Sequence, residues 1–411
     1  MRRSLIPYSM MAPNQDYRQI PKEVAICGNV TANCLAAGYG TSLLVSGSDD
    51  TSRDSLIEAW LQAFAYDTPI IYFHDGNILM ASLFRQLFPD CLMIGGSSNM
   101  RGEYDPMRDI PIQRFFSELI SCSESASARV SLSYLKGVAA LLVADHFEPT
   151  LYRLNCYANK DLGAVLRQVE GDLDDDTYAL INRSFTRTEQ SIESTLDFLD
   201  IVCAACGSEL NTGRMNAGKS VVSALRDGKA ISIDTRALEN PMAAALIEAQ
   251  LHIARENGIR YVVAVDSKGN MQDALRKMVM GSEARNLALF SCPNIWAMGH
   301  GDTGVTDHIL SNQRTSVFFP SRNQALCLNL SKHLDTYWRQ NVTQVEGRMR
   351  GRNRRAFALL PVNSNGRNTA ININYTREML VSANELRELP GNVAVILSPA
   401  NEPIMLCPVI L

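Results

Sequence analysis

The chain has 411 residues, 46% of them hydrophobic and 20% charged, enough for two or three ordinary globular domains with substantial cores. With 39 basic against 43 acidic side chains the net charge is −4, so no global basic field is available to hold nucleic acid. No run of ~18 apolar residues occurs and no signal peptide is read before the first domain, so a cytoplasmic protein without a transmembrane segment is expected. Ten cysteines (27, 34, 91, 122, 156, 203, 206, 292, 327 and 407) are scattered through apolar stretches and read as reduced core thiols. Cys203-Ala-Ala-Cys206 is the only CxxC pair and the six histidines are isolated, so no metal site is expected.

In chain order, 41–45 (Thr-Ser-Leu-Leu-Val) predicts a short strand running into Gly47, and 55–64 an amphipathic helix. Pro69-Ile-Ile-Tyr-Phe73 predicts a second strand, Asp90-Cys-Leu-Met-Ile94 a third, and Tyr104-Asp-Pro-Met107 a turn. From 111 to about 218 the pattern is almost wholly helical, broken by the acidic run 170–176, which reads as a loop between helices. Alternation of strand and helix then resumes, with strands at 229–234, 261–265, 287–290 and 315–319 and helices at 241–257, 271–283 and 302–313. This predicts an α/β fold, one doubly wound, mostly parallel sheet interrupted by an all-α insertion. The expected divisions are 1–120 and 216–345 for the two parts of the sheet domain, 121–215 for the insertion, and 346–411 for a basic linker with a small β segment.

Two stretches compete to be a phosphate-binding loop. Gly213-Arg-Met-Asn-Ala-Gly218-Lys219-Ser220 fits the pattern G-x-x-x-x-G-K-[ST] in every letter. Such a loop needs a buried strand before it, so that backbone N–H groups and a helix N-terminus converge on the phosphates. Residues 207–212 are polar and follow a helix, so 213–220 reads as a linker and remains the alternative loop. Gly47, Ser48, Asp49, Asp50, Thr51, Ser52, Arg53 and Asp54 keep only the skeleton of the pattern, with Ser52, Arg53 and Asp54 at the Gly, Lys and Ser/Thr positions. They have the right surroundings, a strand before and a helix after. Context therefore selects 47–54.

The one dense basic run holds Arg348, Arg350, Arg352, Arg354 and Arg355. It reads either as a phosphate- or nucleic-acid-contacting segment or as a solvated linker.

The order of these signals resembles the type IV coupling proteins, the TraD/TraG class of RecA-fold motor ATPases of conjugation and type IV secretion. The resemblance spans roughly 24–411 and rests on His74-Asp-Gly-Asn77, Tyr104-Asp-Pro106, the helical insertion, Arg377-Glu-Met-Leu380, Glu385-Leu-Arg-Glu-Leu-Pro390 and Pro403-Ile404. It implies a RecA-like (P-loop NTPase-type) sheet, ATP and Mg²⁺ as cofactors, other secretion or conjugation components as partners, and a DNA or protein substrate. It also implies an oligomer of RecA-fold subunits, at the inner face of the cell membrane. No counterpart of the family's N-terminal membrane anchor is expected in this sequence.

Departures from the family gather where a nucleotide would react. Beyond Arg53 and Asp54, Asp266 keeps the metal-facing aspartate, Ser267 replaces the water-activating Glu, and Ser291 stands where the family has Gln; Arg285 is the nearest candidate for an arginine finger. The expectation is an inactive, coupling-protein-like subunit that recruits substrate or pairs with an active motor. The alternatives are an atypical ATP-binding motor and a purely structural subunit.

Overall fold

The computed structural model of the protein describes residues 25–26, 42–64, 68–96, 104–123, 130–185, 189–210, 218–268, 271–298, 303–313, 315–319, 322–334, 336–353, 362–379, 381–389, 393–397 and 405–408. They fall into two compact units, one holding 42–319 and the other 25–26 with 322–408. The lone strand β1 (Ala25–Ile26) belongs to the second unit.

The first unit opens with β2 (Leu43–Ser46), α1 (Asp50–Phe64), β3 (Ile70–His74), α2 (Ile78–Leu87) and β4 (Leu92–Ile94). Six helices follow: α3 (Ile112–Cys122), α4 (Leu132–Ala144), α5 (Leu151–Ala158), α6 (Leu162–Val169), α7 (Asp175–Phe185) and α8 (Glu189–Ser208). After the short α9 (Val221–Arg226) the alternation returns as β5 (Ile231–Asp234), α10 (Pro241–Glu256), β6 (Val262–Asp266), α11 (Asp273–Met280), β7 (Leu287–Cys292), α12 (Thr303–Asn312) and β8 (Thr315–Phe318).

The seven strands of this unit lie in the order β8-β2-β7-β6-β3-β5-β4, and every neighbouring pair is parallel. Chain order moves outward from β2 to β4 on one side, then back through β5, β6 and β7 to β8. Parallel crossovers are right-handed as a rule, so winding in both directions from β2 gives the doubly wound arrangement expected. Strands covered on both faces are rich in apolar residues and shielded from water. Accordingly all of β2, β3, β5 and β8 is buried.

Helix α10 ties the six-helix stretch to the sheet unit by packing against α3, α8 and α9. Its start is fixed by Asn240, whose side chain accepts from the Met242 and Ala243 amides, with Pro241 in the first turn. Among the described residues no helix is long and apolar enough to cross a membrane.

In the second unit, α13 (Gln324–His333) precedes β9 (Thr336–Asn353) and β10 (Val362–Met379), an antiparallel pair. Helix α14 (Ala383–Glu388) begins at a capping box between Ser382 and Glu385. Strand β12 (Met405–Pro408) pairs antiparallel with β11 (Val393–Leu397) and parallel with β1.

Two local expectations need correction. The segment holding Arg348, Arg350 and Arg352 is not a linker but part of an 18-residue strand. The arginines distract from Tyr337, Val342, Thr343 and Val345, residue types that suit a pleated strand. Arg354 and Arg355 lie outside the described residues. The helix expected from Ser55 begins at Asp50 instead, because Asp50 to Asp54 follow a helical path that short polar side chains at a helix start support.

Candidate functional site

Ligand sites of open parallel sheets lie at the carboxyl ends of the strands. The register brings those ends level. Ser46 lies across from Cys292 and Phe318, Asp266 from Ser291 and His74, and His74 from Asp234. Gly47 thus sits at the end of a central strand, but β7 separates it from the Asp266 strand rather than the two being neighbours.

Only Gly47, Ser48 and Asp49 separate β2 from α1. Thr51, Ser52, Arg53 and Asp54 are already helical, and the Arg53 amide donates to the Asp49 carbonyl at 3.2 Å. A backbone cradle for phosphate requires amides not engaged in a helix. Gly47 has a different role. A Cβ there would stand 2.5 Å from Phe319 Cβ, and its amide bonds the Cys292 carbonyl at 3.1 Å.

Arg53 does not project outward. Its side chain is fully buried, pairs with Asp50, and leaves Nε and Nη1 without a hydrogen-bond partner. The neighbouring carboxylates each have partners as well. Asp49 accepts from the Ser52 hydroxyl; Asp54 accepts from Asn77 Nδ2 at 3.3 Å and faces Lys268 Nζ at 3.9 Å.

Asp266 is fully buried at the end of β6. The Tyr72 hydroxyl donates to its Oδ2 at 3.3 Å, while Oδ1 has no partner. Burial pushes its carboxyl above the ordinary range, with Asp54 adding to the rise and Arg53 opposing it. The Ser267 amide donates to the Ser291 carbonyl at 2.9 Å, so both serines continue the strand pairing.

Further along the edge, Arg236 holds Asp234 through its Nε at 3.0 Å and its backbone amide at 3.1 Å. Gly95 and Gly96, both at positive φ, close against Asp234. His74 is buried beside this pair with Nδ1 unpartnered, and burial lowers it to about 4. Sequence reasoning missed Tyr72, His74, Asp234, Arg236 and Lys268. In sequence His74 reads only as part of a turn, Tyr72 lies inside β3, and the others have no signal beyond lying at or just after a strand end.

The alternative loop is placed elsewhere. Gly213 lies outside the described residues. Gly218 abuts Asp105, where a Cβ would stand 2.8 Å from the Asp105 Cβ. Lys219 bridges Tyr104 in parallel, its carbonyl accepts from the Asp105 amide at 3.0 Å, and its ammonium pairs with Asp227. Ser220 caps α9 and donates its hydroxyl to the Arg108 carbonyl at 2.8 Å. These residues fasten the chain returning from the helical stretch.

A separate cluster joins α3 and α10, where His252 Nδ1 lies 2.9 Å from Glu118 and Nε2 3.9 Å from Glu256. Glu256 already holds Arg114 at 2.8 Å.

No protein-family model and no curated protein matches the chain. Among solved structures, it is similar to the bacterial conjugative coupling protein TrwBdeltaN70 in its trigonal form with sulphate, at 13% identity and a TM-score of 0.47, covering 97% of this chain and 96% of that one. The plasmid coupling protein TrwB in complex with the non-hydrolysable GTP analogue GDPNP gives 13% identity and a TM-score of 0.46, covering 96% and 90%. VirB4 of Thermoanaerobacter pseudethanolicus gives 11% and 0.34, covering 71% and 80%. Likenesses this distant assign no ligand or partner to this chain.

Proposed function

We propose that this chain is a coupling-protein-like subunit of a conjugative or type IV secretion system that works by binding, with a strand-edge site unfit for efficient ATP hydrolysis. The observation that carries the second half is the inward-buried Arg53 at the head of a helix that starts only three residues after β2. The role in transfer draws on the ordered sequence signals that resemble coupling proteins.

A nucleoside triphosphate with Mg²⁺ is the group that this resemblance implies, and the residues present do not fit it. A loop of only three residues before α1, with the Arg53 amide engaged by the Asp49 carbonyl, supports a reduced phosphate cradle. The cation that would meet the phosphates is buried against Asp50, and Asp49, Asp50 and Asp54 bring three carboxylates to the start of α1. One like-charge contact at about 4 Å costs roughly 4 kcal/mol at an effective dielectric of about 20. Two such contacts offset the roughly −8 kcal/mol of a micromolar complex. Ser267 offers no carboxylate to position water. The work left to such a subunit is recruitment of a transfer substrate or pairing with an active motor.

A slow motor ATPase is the second reading, favoured by one observation: Asp266 Oδ1 is left without a partner, with Lys268 nearby on Asp54. Calorimetry of the full chain with ATP, with and without Mg²⁺, separates the two. The binding reading expects no measurable heat at micromolar protein and negligible turnover. Steady hydrolysis near one per second that is abolished by Asp266→Ala would overturn it.

A further inference from the structure

Helix α10 runs from the carboxyl end of β5 back toward the start of β6, so its last turns lie away from the strand edge that holds Asp234 and Asp266. There His252 and Glu256, four residues apart, share one face of α10. Arg114 and Glu118 share a face of α3 in the same way. The two pairs meet where α3 and α10 pack together. His252 Nδ1 lies 2.9 Å from Glu118 Oε2, and its Nε2 lies 3.9 Å from Glu256 Oε1. One donor atom from each of Glu118, His252 and Glu256 falls within 4.8 Å of the other two.

The approach of Nδ1 to Glu118 is not a hydrogen bond. That nitrogen is closed off from solvent and has no hydrogen-bond partner, because the carboxylate oxygen lies off the direction of its N–H. A metal ion needs only a common distance to its donors, about 2.0–2.2 Å for histidine nitrogen and carboxylate oxygen. Donors 2.9 Å apart, each about 2.1 Å from one ion, subtend roughly 90° there, the angle between neighbouring ligands of a six-coordinate shell. Glu256 is turned for the same role. Arg114 Nη2 donates to its Oε2 at 2.8 Å and Nη1 to Asn257 Oδ1 at 2.9 Å, which leaves Glu256 Oε1 facing His252. Hydrogen bonds that orient a ligating carboxylate from behind are a regular part of metal sites. Of the two carboxylates, Glu256 has the Arg114 cation, while Glu118 has no guanidinium or ammonium within ion-pair distance among the described residues.

The geometry points to a divalent transition-metal site at Glu118, His252 and Glu256, with water completing the shell, that clips α3 to α10. One imidazole nitrogen with two carboxylate oxygens is a donor set for ions of the Zn²⁺, Co²⁺ and Mn²⁺ kind, whereas Mg²⁺ and Ca²⁺ favour oxygen alone. Glu118 and His252 are far apart in sequence, so the set exists only once α3 lies on α10. An ion held by both helices therefore binds the folded joint and not the unfolded chain, and stabilises the union of the helical stretch with the sheet unit. The clip is independent of the state of the strand-edge site.

The test uses the full chain, stripped of metal with a chelator and then titrated with Zn²⁺ by calorimetry and with Co²⁺ by visible absorption. Zinc at about 100 times its Kd is expected to raise the melting temperature by about 5 °C. Glu118→Gln and His252→Asn are each expected to weaken zinc binding at least tenfold, on the order of what a lost metal-site partner costs, and to abolish the thermal shift. Both side chains are partly exposed, so neither change disturbs the core. His146→Asn is the control, an exposed histidine at a φ of 59° that asparagine adopts readily, and it is expected to leave zinc affinity unchanged. The cobalt spectrum is expected to lack the charge-transfer band of a thiolate ligand. Absent zinc binding, equal affinity in the parent and in the Glu118 and His252 variants, binding without a thermal shift, or a thiolate band that assigns the ion to cysteine would each overturn the clip.

Discussion

Gly47 and Phe319 approach so closely that a Cβ on the glycine would stand 2.5 Å from the Cβ of the phenylalanine and 3.1 Å from its backbone. The Phe319 amide also donates to the Ser46 carbonyl at 2.8 Å, which holds the end of β8 against the end of β2. Gly47 is thus required by packing between two central strands, whatever else the segment after it does. Gly47→Ala must displace backbone, and a destabilisation of roughly 1–3 kcal/mol is expected. Urea denaturation of the variant measures it directly. An alanine variant as stable as the parent would show that glycine serves the loop and not the packing.

The strands and their order of appearance were legible because buried parallel strands are written as short apolar runs, as in Ile70 to His74 and Val262 to Asp266. For the same reason Gly47 was legible as the residue that follows a buried strand, and it does lie directly after β2. Less legible was which way Arg53 turns. A long cation at a helix start reads as a phosphate ligand, and only tertiary packing buries it against Asp50. His74, Asp234 and Asp266 come together through pairing of strands far apart in sequence, which no local pattern announces. The β9–β10 ribbon was hidden by its composition, because dense arginine suggests a solvated linker while strand pairing depends on a partner 9 to 43 residues away.

His74 makes stability depend on pH. Burial lowers its folded-state value from 6.5 to about 4, so the unfolded chain takes up a proton first as pH falls. The stability it contributes is complete above 6.5 and is lost as pH drops through the window from 6.5 to about 4. At about 1.4 kcal/mol per pH unit, the full swing is roughly 3 kcal/mol. Replacing it by a group that does not titrate, His74→Asn, removes that dependence. Denaturant midpoints at pH 7 and pH 5 compare the two proteins. Equal acid sensitivity in both would mean that His74 is already protonated in the fold or exposed to solvent.

Asp105 works in the opposite direction over almost the same range. Buried in the turn that meets Gly218 and Lys219, its carboxyl is raised by burial from 3.8 to about 6, against the Met107 amide, which donates to it at 3.1 Å. Here the folded chain holds the proton longer, so stability is greatest below 3.8 and falls as pH rises through about 6. Ionising it in place removes roughly 3 kcal/mol by neutral pH. The two trends offset each other in the parent protein, whose stability is therefore expected to vary little between about pH 4 and pH 6 as far as these groups decide it. Each substitution uncovers the other residue. Asp105→Asn keeps an acceptor for the Met107 amide and is expected to be more stable than the parent at pH 7, with stability rising as pH climbs from 4 to 6.5. His74→Asn is expected to lose stability over that climb. Chemical denaturation of the parent and both variants at half-unit pH intervals checks the crossing directly, and parallel profiles for the two variants would refute the opposed pair.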